Sequence, residues 1–229
     1  MSTRKTLKVS LLFLGLICSL ALLYLLYLDY RPELQLLFNF HGNYQLLIKM
    51  IRSHGPANLV LVFLLNAICV AIPGLSNGIF CVLNGILFGP AVGFLVNWIS
   101  DILGQLLLLY LIRKLYSPKK LRQGKFYRLL HEQSSPELAF SLAYAIPFIP
   151  SITVSFGNIL VNSAFKKRLI PIIIGSLPLA FLYAYGGDSL LHLNGRKLLI
   201  TILILLLIAL IAIGILYFNY RRTKKAAAH

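Results

Sequence analysis

Acidic residues are scarce in this sequence, which has six Asp and Glu against 22 Lys and Arg in 229 residues. Charged residues of both signs make up only 12% of the chain, while 59% of it is hydrophobic. Charged residues make up about twice that share of an ordinary soluble domain. The composition therefore excludes a soluble domain and predicts an integral membrane protein. The excess cations fall between hydrophobic runs, where the positive-inside bias and anionic lipid explain them without a nucleic-acid partner.

Cysteines and catalytic motifs are equally sparse. The three cysteines, Cys18, Cys69 and Cys81, lie in apolar runs without CxxC spacing. We interpret them as packing residues, with a disulfide or metal role as the alternative. The histidines lie in separate loops, and no HExxH, GxSxG or P-loop pattern occurs. The sequence therefore predicts no enzyme, no metal site and no cofactor.

Long hydrophobic runs are plentiful, and four of them approach the roughly 20 apolar residues that a membrane span requires. They are residues 9–28, 91–112, 169–187 and 198–218. Cations before the first run, in the loop that starts at Arg113 and after the last run predict a multi-pass protein of the cell membrane with cytoplasmic N- and C-termini. The segment from Asp29 to Gly55 is expected outside, with an interfacial helix.

Two further hydrophobic runs are interrupted by prolines. Residues 57–89 break at Pro73-Gly74, and residues 138–168 break at Pro147 and Pro150. Non-helical backbone at membrane depth must be buried in protein or line a wet cavity, so each break is a candidate site. The two runs enter from opposite sides of the membrane, which predicts two opposed re-entrant helical hairpins that form an inverted repeat.

The predicted fold class is therefore an all-α integral membrane protein with about four full transmembrane helices. Residues 1–56 hold the first span and the outer segment, and residues 57–188 hold the core with both hairpins. Residues 189–229 hold the last span and a basic tail, whose closing AAAH we interpret as a cloning remnant.

The tips of the predicted hairpins carry the polar groups of a candidate binding site. If the second half of each hairpin is helical, its free amides and positive dipole end point at the middle of the membrane. Two such ends facing each other favour an anion. The tip residues are Ser76, Asn77, Pro147, Pro150, Ser151 and Thr153. The alternative is that Ser76 and Ser151 only cap buried helix ends.

Polar residues also recur on one face of the half-helix that follows Pro150. They are Ser151, Ser155, Asn158 and Asn162. Because polar groups are costly in hydrocarbon, this face is predicted to contact protein or water. The alternative to substrate binding is hydrogen bonding between helices, worth about 1 kcal/mol per contact.

The span after Pro90 has a second polar series. It consists of Asn97, Asp101 and Gln105, preceded at the same interval by Gly85, Gly89 and Gly93. The glycines predict the close approach of a neighbouring helix. Asp101 is the only acid deep in a hydrophobic run, and such acids are by default functional and often carry protons. The alternative is that Asp101 is a hydrogen-bonded partner of Asn97 and Gln105.

Arg113 ends the same span and has two interpretations. It either holds a lipid phosphate at the cytoplasmic interface or only anchors the helix there. It lies 12 positions after Asp101, which is about 18 Å along a helix, so the two side chains cannot pair within that helix.

Several motifs then occur in a recognisable order. They are Pro73-Gly74, NGILFGPAVG at 84–93, Gly104 with Arg113, IPFIPS at 146–151, and the later GSLP and YGG. In this order they resemble the DedA/VTT superfamily, also called SNARE-associated Golgi proteins, and its VTT-type branch in particular. The resemblance implies a membrane transporter that moves lipids between leaflets, with proton coupling in some members. The chain has Leu75, Gln105, Tyr144 and Ser155 where the family pattern has an acid, an aspartate, an arginine and an asparagine.

The leading hypothesis is a flippase-like or scramblase-like transporter of a phosphate-bearing lipid, such as undecaprenyl phosphate or a phospholipid. Its predicted binding residues are Ser76, Asn77, Asn97, Asp101, Gln105, Arg113, Tyr144, Pro147, Pro150, Ser151, Thr153, Ser155 and Asn158. The expected partners are anionic membrane lipids and protons, and the sequence leaves a homo-oligomer open. The alternatives are a small ion or solute transporter, and a non-transporting scaffold whose basic loop 113–128 binds anionic lipid.

Overall fold

The computed structural model describes residues 2–38, 44–53, 56–72, 77–115, 135–147, 149–161 and 164–226, and these ranges contain helices and no strand. The helices are α1 (Ser2–Phe38), α2 (Tyr44–Arg52), α3 (Pro56–Ala71), α4 (Gly78–Leu115), α5 (Pro136–Tyr144), α6 (Ser151–Val161), α7 (Phe165–Leu191) and α8 (Gly195–Ala226). Helices α1, α4, α7 and α8 each contain an apolar stretch long enough to cross a membrane. The predicted all-α class and the four predicted spans are confirmed.

Helices α4 and α7 form the centre of the molecule. Of their apolar stretches, 39% and 44% are buried inside the protein, against 11% for α1 and 17% for α8. The outer helices instead expose large hydrophobic side chains along most of their length. Such a surface is costly in water and favourable in lipid, which fits a multi-pass membrane protein.

Helix α4 folds back on itself at Gly89, whose φ of 79° and ψ of 178° are not helical. Gly89 thus separates a short arm (78–88) from a long arm (90–115), and Pro90 begins the long arm as predicted. The contacts between the arms join residues at increasing distance from the turn. A Cβ on Gly93 would lie 2.7 Å from the Asn84 carbonyl oxygen, and Asn77 Nδ2 lies 3.2 Å from Asp101 Oδ1. The arms are therefore antiparallel neighbours.

The glycine series has three different roles. A Cβ on Gly85 would overlap the backbone carbonyl of Ala184 in α7, so Gly85 permits the predicted helix approach. Gly93 permits the contact between the two arms. The prediction of helix packing is wrong for Gly89, because its positive φ makes the turn, a conformation that glycine adopts without a steric penalty.

Helices end at both predicted breaks. Helix α3 ends at Ala71 and α4 begins at Gly78, while α5 ends at Tyr144 and α6 begins at Ser151. Pro147 and Pro150 lie in the second break. Pro73, Gly74, Leu75 and Ser76 of the first break lie outside the described residues. The re-entrant placement of the two helix pairs and their inverted relation stay predictions.

Some predicted boundaries are wrong by several residues. Helix α1 continues to Phe38, with Pro32 inside it, although its hydrophobic run ends at Leu28. Helix α7 begins at Phe165, four residues before the predicted span at 169–187. Hydropathy indicates where the apolar surface ends, whereas backbone hydrogen bonding continues into polar sequence. Helix α2 lies within the segment where an interfacial helix is predicted, and its position at the membrane interface stays a prediction. All three cysteines are unpaired, and Cys18 is exposed.

An ion pair joins α2 to the end of α7, and its loss is expected to destabilise the protein. Arg52 Nη2 lies 2.5 Å from Asp188 Oδ1, with side-chain exposures of 29% and 15%, and His192 Nδ1 lies 3.4 Å from the same oxygen. Replacing Arg52 with alanine is expected to cost about 1–3 kcal/mol, because it removes a charged hydrogen bond from a largely buried carboxylate. The measurement is the thermal unfolding midpoint in detergent.

The matched control is Lys167→Ala. Lys167 Nζ lies 3.9 Å from Glu137 Oε1, and the two side chains are 62% and 41% exposed. Exposed pairs of this kind contribute about 0–1 kcal/mol. Equal midpoint shifts for Arg52→Ala and Lys167→Ala would contradict the proposed contribution of the α2–α7 pair.

Candidate functional site

The two breaks meet the long arm of α4 at positions one helical turn apart. From the first break, Asn77 Nδ2 donates to Asp101 Oδ1 at 3.2 Å. From α6, four residues after it begins at the second break, the Ser155 hydroxyl donates to Gln105 Oε1 at 2.9 Å. Because that donation uses the only hydroxyl hydrogen of Ser155, the Tyr144 hydroxyl donates to Ser155 Oγ, also at 2.9 Å. Four residues span about 6 Å along a helix, so these two contacts lie one turn apart on the long arm.

A cavity of about 340 Å³ lies between the breaks. Its wall includes residues from the end of α3, both arms of α4, the second break, the start of α6 and the middle of α7. Eight predicted site residues line it: Asn77, Asn97, Asp101, Gln105, Tyr144, Pro147, Pro150 and Ser151. Small-molecule sites have volumes of roughly 300–1,000 Å³, so this cavity can hold a small polar group.

Asp101 is the one acidic residue among the described residues that line this cavity. Its side chain is half-buried, and its described hydrogen-bond partner is Asn77, not Asn97 or Gln105, the partners in the alternative interpretation. Tyr144 and Tyr183 line the same cavity. Among the residues that the structure describes, no group of three His, Cys, Asp or Glu could hold a metal ion.

Asn97 lines the cavity and also holds the surrounding helices together. Its Nδ2 donates to the carbonyl oxygens of Cys81 at 2.9 Å and Ala180 at 3.2 Å, and its Oδ1 accepts from Asn84 at 2.6 Å. The side chain is fully buried. Asn97 therefore joins the two arms of α4 to α7, and both of its amide hydrogens are already used.

The polar face of α6 serves mainly to pack helices. Ser155 and Asn158 are fully buried, and Asn158 Nδ2 donates to the Arg168 carbonyl oxygen in α7 at 3.0 Å. Thr153 is half-buried and, like these two residues, is not part of the cavity wall described above. For Ser155 and Asn158 these contacts favour the alternative interpretation, hydrogen bonding between helices. The predicted residues Ser76 and Asn162 lie outside the described residues.

Arg113 lies away from the cavity. It is exposed near the end of the long arm, eight residues and about 12 Å beyond Gln105. Its predicted contact with a phosphate would therefore take place at the membrane interface. Most of the predicted basic loop, from residue 116 onward, lies outside the described residues.

The residues of α7 that form one wall of the cavity were not among the predicted site residues. Tyr183 and Ser176 both line it, and Ser176 belongs to the GSLP motif. That motif was a usable signal for Ser176. Tyr183 carried no such signal, because an aromatic residue in an apolar span is equally typical of a surface that faces lipid. A hydrogen bond of 2.6 Å from Asn66 Nδ2 to Ser100 Oγ joins α3 to the long arm, and neither residue was among the predicted site residues.

Comparison with known proteins gives one match. A family model described as the VTT domain matches residues 72–189, just over half of the chain. The matched range includes both breaks, the long arm of α4 and nearly all of α7. No curated protein and no solved structure matches the chain.

Proposed function

Because the chain belongs to the VTT domain family of DedA-class membrane proteins, we propose that it moves a phosphate-bearing lipid between the leaflets of its membrane. The observation that carries the proposal is the cavity of about 340 Å³ lined by residues from both helix breaks. Breaks in apolar helices leave backbone groups that lipid cannot satisfy, so they are tolerated where they line a polar path. A lipid headgroup crossing the bilayer needs such a path.

The depth of the cavity supports this role. The long arm has 26 residues and a length of about 39 Å, enough to cross a hydrocarbon core of about 30 Å. Asp101 lies about 17 Å from the start of this arm, near its middle, and we propose that this level corresponds to the membrane midplane. Asn77, its neighbour in the first break, lies at the same depth. We therefore propose that α3 with the short arm, and α5 with α6, are opposed re-entrant hairpins of an inverted repeat.

In the proposed mechanism, the polar groups at the breaks replace the water that a headgroup loses. The first amides of α6, at Ser151, and the side chains lining the cavity offer hydrogen bonds while the acyl chains stay in the bilayer. Arg113 would bind the lipid phosphate at the predicted cytoplasmic interface before the headgroup enters. The cell membrane is the proposed location, with both termini in the cytoplasm.

Asp101 is the proposed site of proton coupling. A carboxyl group at the membrane midplane can carry a proton between two conformations that open to opposite sides. An imposed pH gradient would then drive net lipid movement. Without coupling, the same cavity would equilibrate the lipid between the leaflets, as a scramblase does.

Reconstitution into liposomes tests the proposal. Purified protein is expected to raise the initial rate of movement of an acyl-chain-labelled phospholipid about tenfold or more over protein-free liposomes, a barrier reduction of about 1.4 kcal/mol. Parallel liposomes report ion and solute flux, and a third set carries a pH gradient. No lipid movement by folded protein would overturn the proposal. Solute flux without lipid movement would favour a solute transporter, and vesicle binding without any flux would favour a scaffold.

A further inference from the structure

Two helices bring their basic ends together at one end of the protein. Helices α7 and α8 are joined by a short turn at residues 192–194, so they lie side by side and antiparallel. Near this turn, a Cβ on Gly186 would lie 3.4 Å from Thr201 Cγ2. Farther from it, Ile172 and Leu216 belong to the same buried cluster. The members of each pair are nearly equally far from the turn along the chain, which fixes the alignment of the two helices.

This alignment places the cations at the start of α7 beside those at the end of α8. Lys166 and Arg221 are equally far from the turn, and both are exposed. Lys167 and Arg168 follow Lys166, and the sequence of α8 continues with Arg222, Lys224 and Lys225. Glu137 Oε1 on α5 lies 3.9 Å from Lys167 Nζ, which gives Lys167 an acidic neighbour. Packed helix axes are about 8–10 Å apart, so the like charges on these two ends repel each other.

The repulsion acts on a helix with little buried surface. Only 17% of the apolar stretch of α8 is inside the protein, against 44% for α7. An anion placed between the two ends would replace the repulsion by attraction to both helices. Bound negative charge would therefore hold α8 against α7.

The surroundings of these cations suit a lipid better than a free anion. Arg221 lies just beyond Asn219, where the apolar stretch of α8 ends. Toward the middle of the two helices, Ile170, Tyr217 and Phe218 are 43%, 51% and 68% exposed. The Arg221 guanidinium lies 4.7 Å from the centre of the Tyr217 ring, and such aromatic residues are enriched at membrane interfaces. A phospholipid suits both parts of this surface, because its phosphate can pair with the cations while its acyl chains cover the apolar side chains.

We propose that the start of α7 and the end of α8 form a binding site for an anionic phospholipid, with its phosphate between Lys166 and Arg221. Basic sites between membrane helices bind headgroups of this kind. The lipid stays in its leaflet and fastens α8 to the rest of the protein, so it is a bound partner and not the transported lipid. This site does not depend on the proposed transport, and either proposal can fail without the other.

Thermal unfolding of the whole protein in lipid nanodiscs tests the site. One set of nanodiscs contains phosphatidylglycerol, whose headgroup has a net negative charge. The other contains phosphatidylcholine with the same acyl chains, whose ammonium group cancels the charge of its phosphate. The unfolding midpoint is expected to be about 4 °C or more higher in phosphatidylglycerol, because a ligand that binds the folded state stabilises it. Inorganic phosphate added to the phosphatidylcholine nanodiscs is expected to raise the midpoint by less than about 1 °C.

Lys166→Gln combined with Arg221→Gln removes two charges from the site. Both side chains are exposed, so the change leaves the core packing intact. The gain in midpoint from phosphatidylglycerol is expected to fall to about half of the wild-type gain or less. In phosphatidylcholine this double variant should unfold at or above the wild-type midpoint, because the repulsion between the helix ends is relieved.

The matched control is Arg196→Gln combined with Lys197→Gln, which removes two exposed charges at the opposite end of α8 and is expected to keep the wild-type gain. Equal wild-type midpoints in the two lipids would overturn the proposal, because the protein would then have no preference for a negative headgroup. Equal losses of the gain in the two double variants would also overturn it, since they would indicate a general effect of surface charge. A rise with inorganic phosphate as large as that with phosphatidylglycerol would contradict a lipid as the occupant.

Discussion

Tryptophan in place of Ser151 is expected to lower the rate of lipid movement about 100-fold, equivalent to about 3 kcal/mol of added barrier. Ser151 begins α6, is half-buried and lines the cavity between the two breaks. An indole at this position would fill the space that the proposed headgroup needs. Because the cavity already has a volume of about 340 Å³, the larger side chain can be accommodated without repacking the core.

The matched control is Ser10→Trp, a change of the same size on an exposed position of α1. This variant is expected to transport lipid at the wild-type rate. Initial rates in liposomes provide the measurement, and size-exclusion elution in detergent shows that both variants are folded. A folded Ser151→Trp protein with an unchanged rate would place the lipid path elsewhere.

Alanine in place of Gly187 is expected to have the largest effect on folding. A Cβ at this position would overlap the Val82 carbonyl oxygen and would lie 3.1 Å from the Ile86 backbone nitrogen. Both neighbours are backbone atoms of the short arm, so no side chain can rotate away. Overpacking typically costs about 1–3 kcal/mol, and a rigid backbone neighbour places this site at the upper end of that range.

Gly214→Ala is the control for this change, since nothing lies within 4 Å of a Cβ on Gly214. Alanine is favoured over glycine in a helix by about 1 kcal/mol, so this control should unfold at the same or a higher temperature. Gly187→Ala should give a lower unfolding midpoint and less monodisperse protein. Similar midpoints for the two variants would contradict the close contact between α4 and α7.

The spans and the breaks could be predicted from the sequence because both follow from local chemistry. Hydrophobic runs of sufficient length indicate helices that cross lipid, and paired prolines such as Pro147 and Pro150 interrupt a helix wherever it lies. Asp101 and Ser151 were identified because an uncompensated polar group is costly in hydrocarbon, and Asn77 because it lies at the predicted tip of the first hairpin. Each of these three residues lines the cavity.

The partners of those residues could not be predicted in the same way. The contact between Asn77 and Asp101 depends on the turn at Gly89, which sets how the arms of α4 align. No local pattern determines that alignment.

The polar face of α6 shows a second limit of prediction from sequence, because periodicity identifies a face of a helix without identifying what the face contacts. Ser155 and Asn158 therefore gave the same signal as a binding residue while forming hydrogen bonds between helices.

The proposed function requires that a phospholipid headgroup occupies the cavity between the two breaks. Photocrosslinking tests it most directly, with a phospholipid that carries a photoreactive group in its headgroup and mass spectrometry to locate the crosslinked residues in reconstituted protein. Crosslinks are expected from Ile149 to Ile152, where the second break joins α6, and on the long arm around Asp101, and they should be lost in Ser151→Trp. Crosslinks confined to the ends of the spans, such as Arg113 and Asp188, would contradict it.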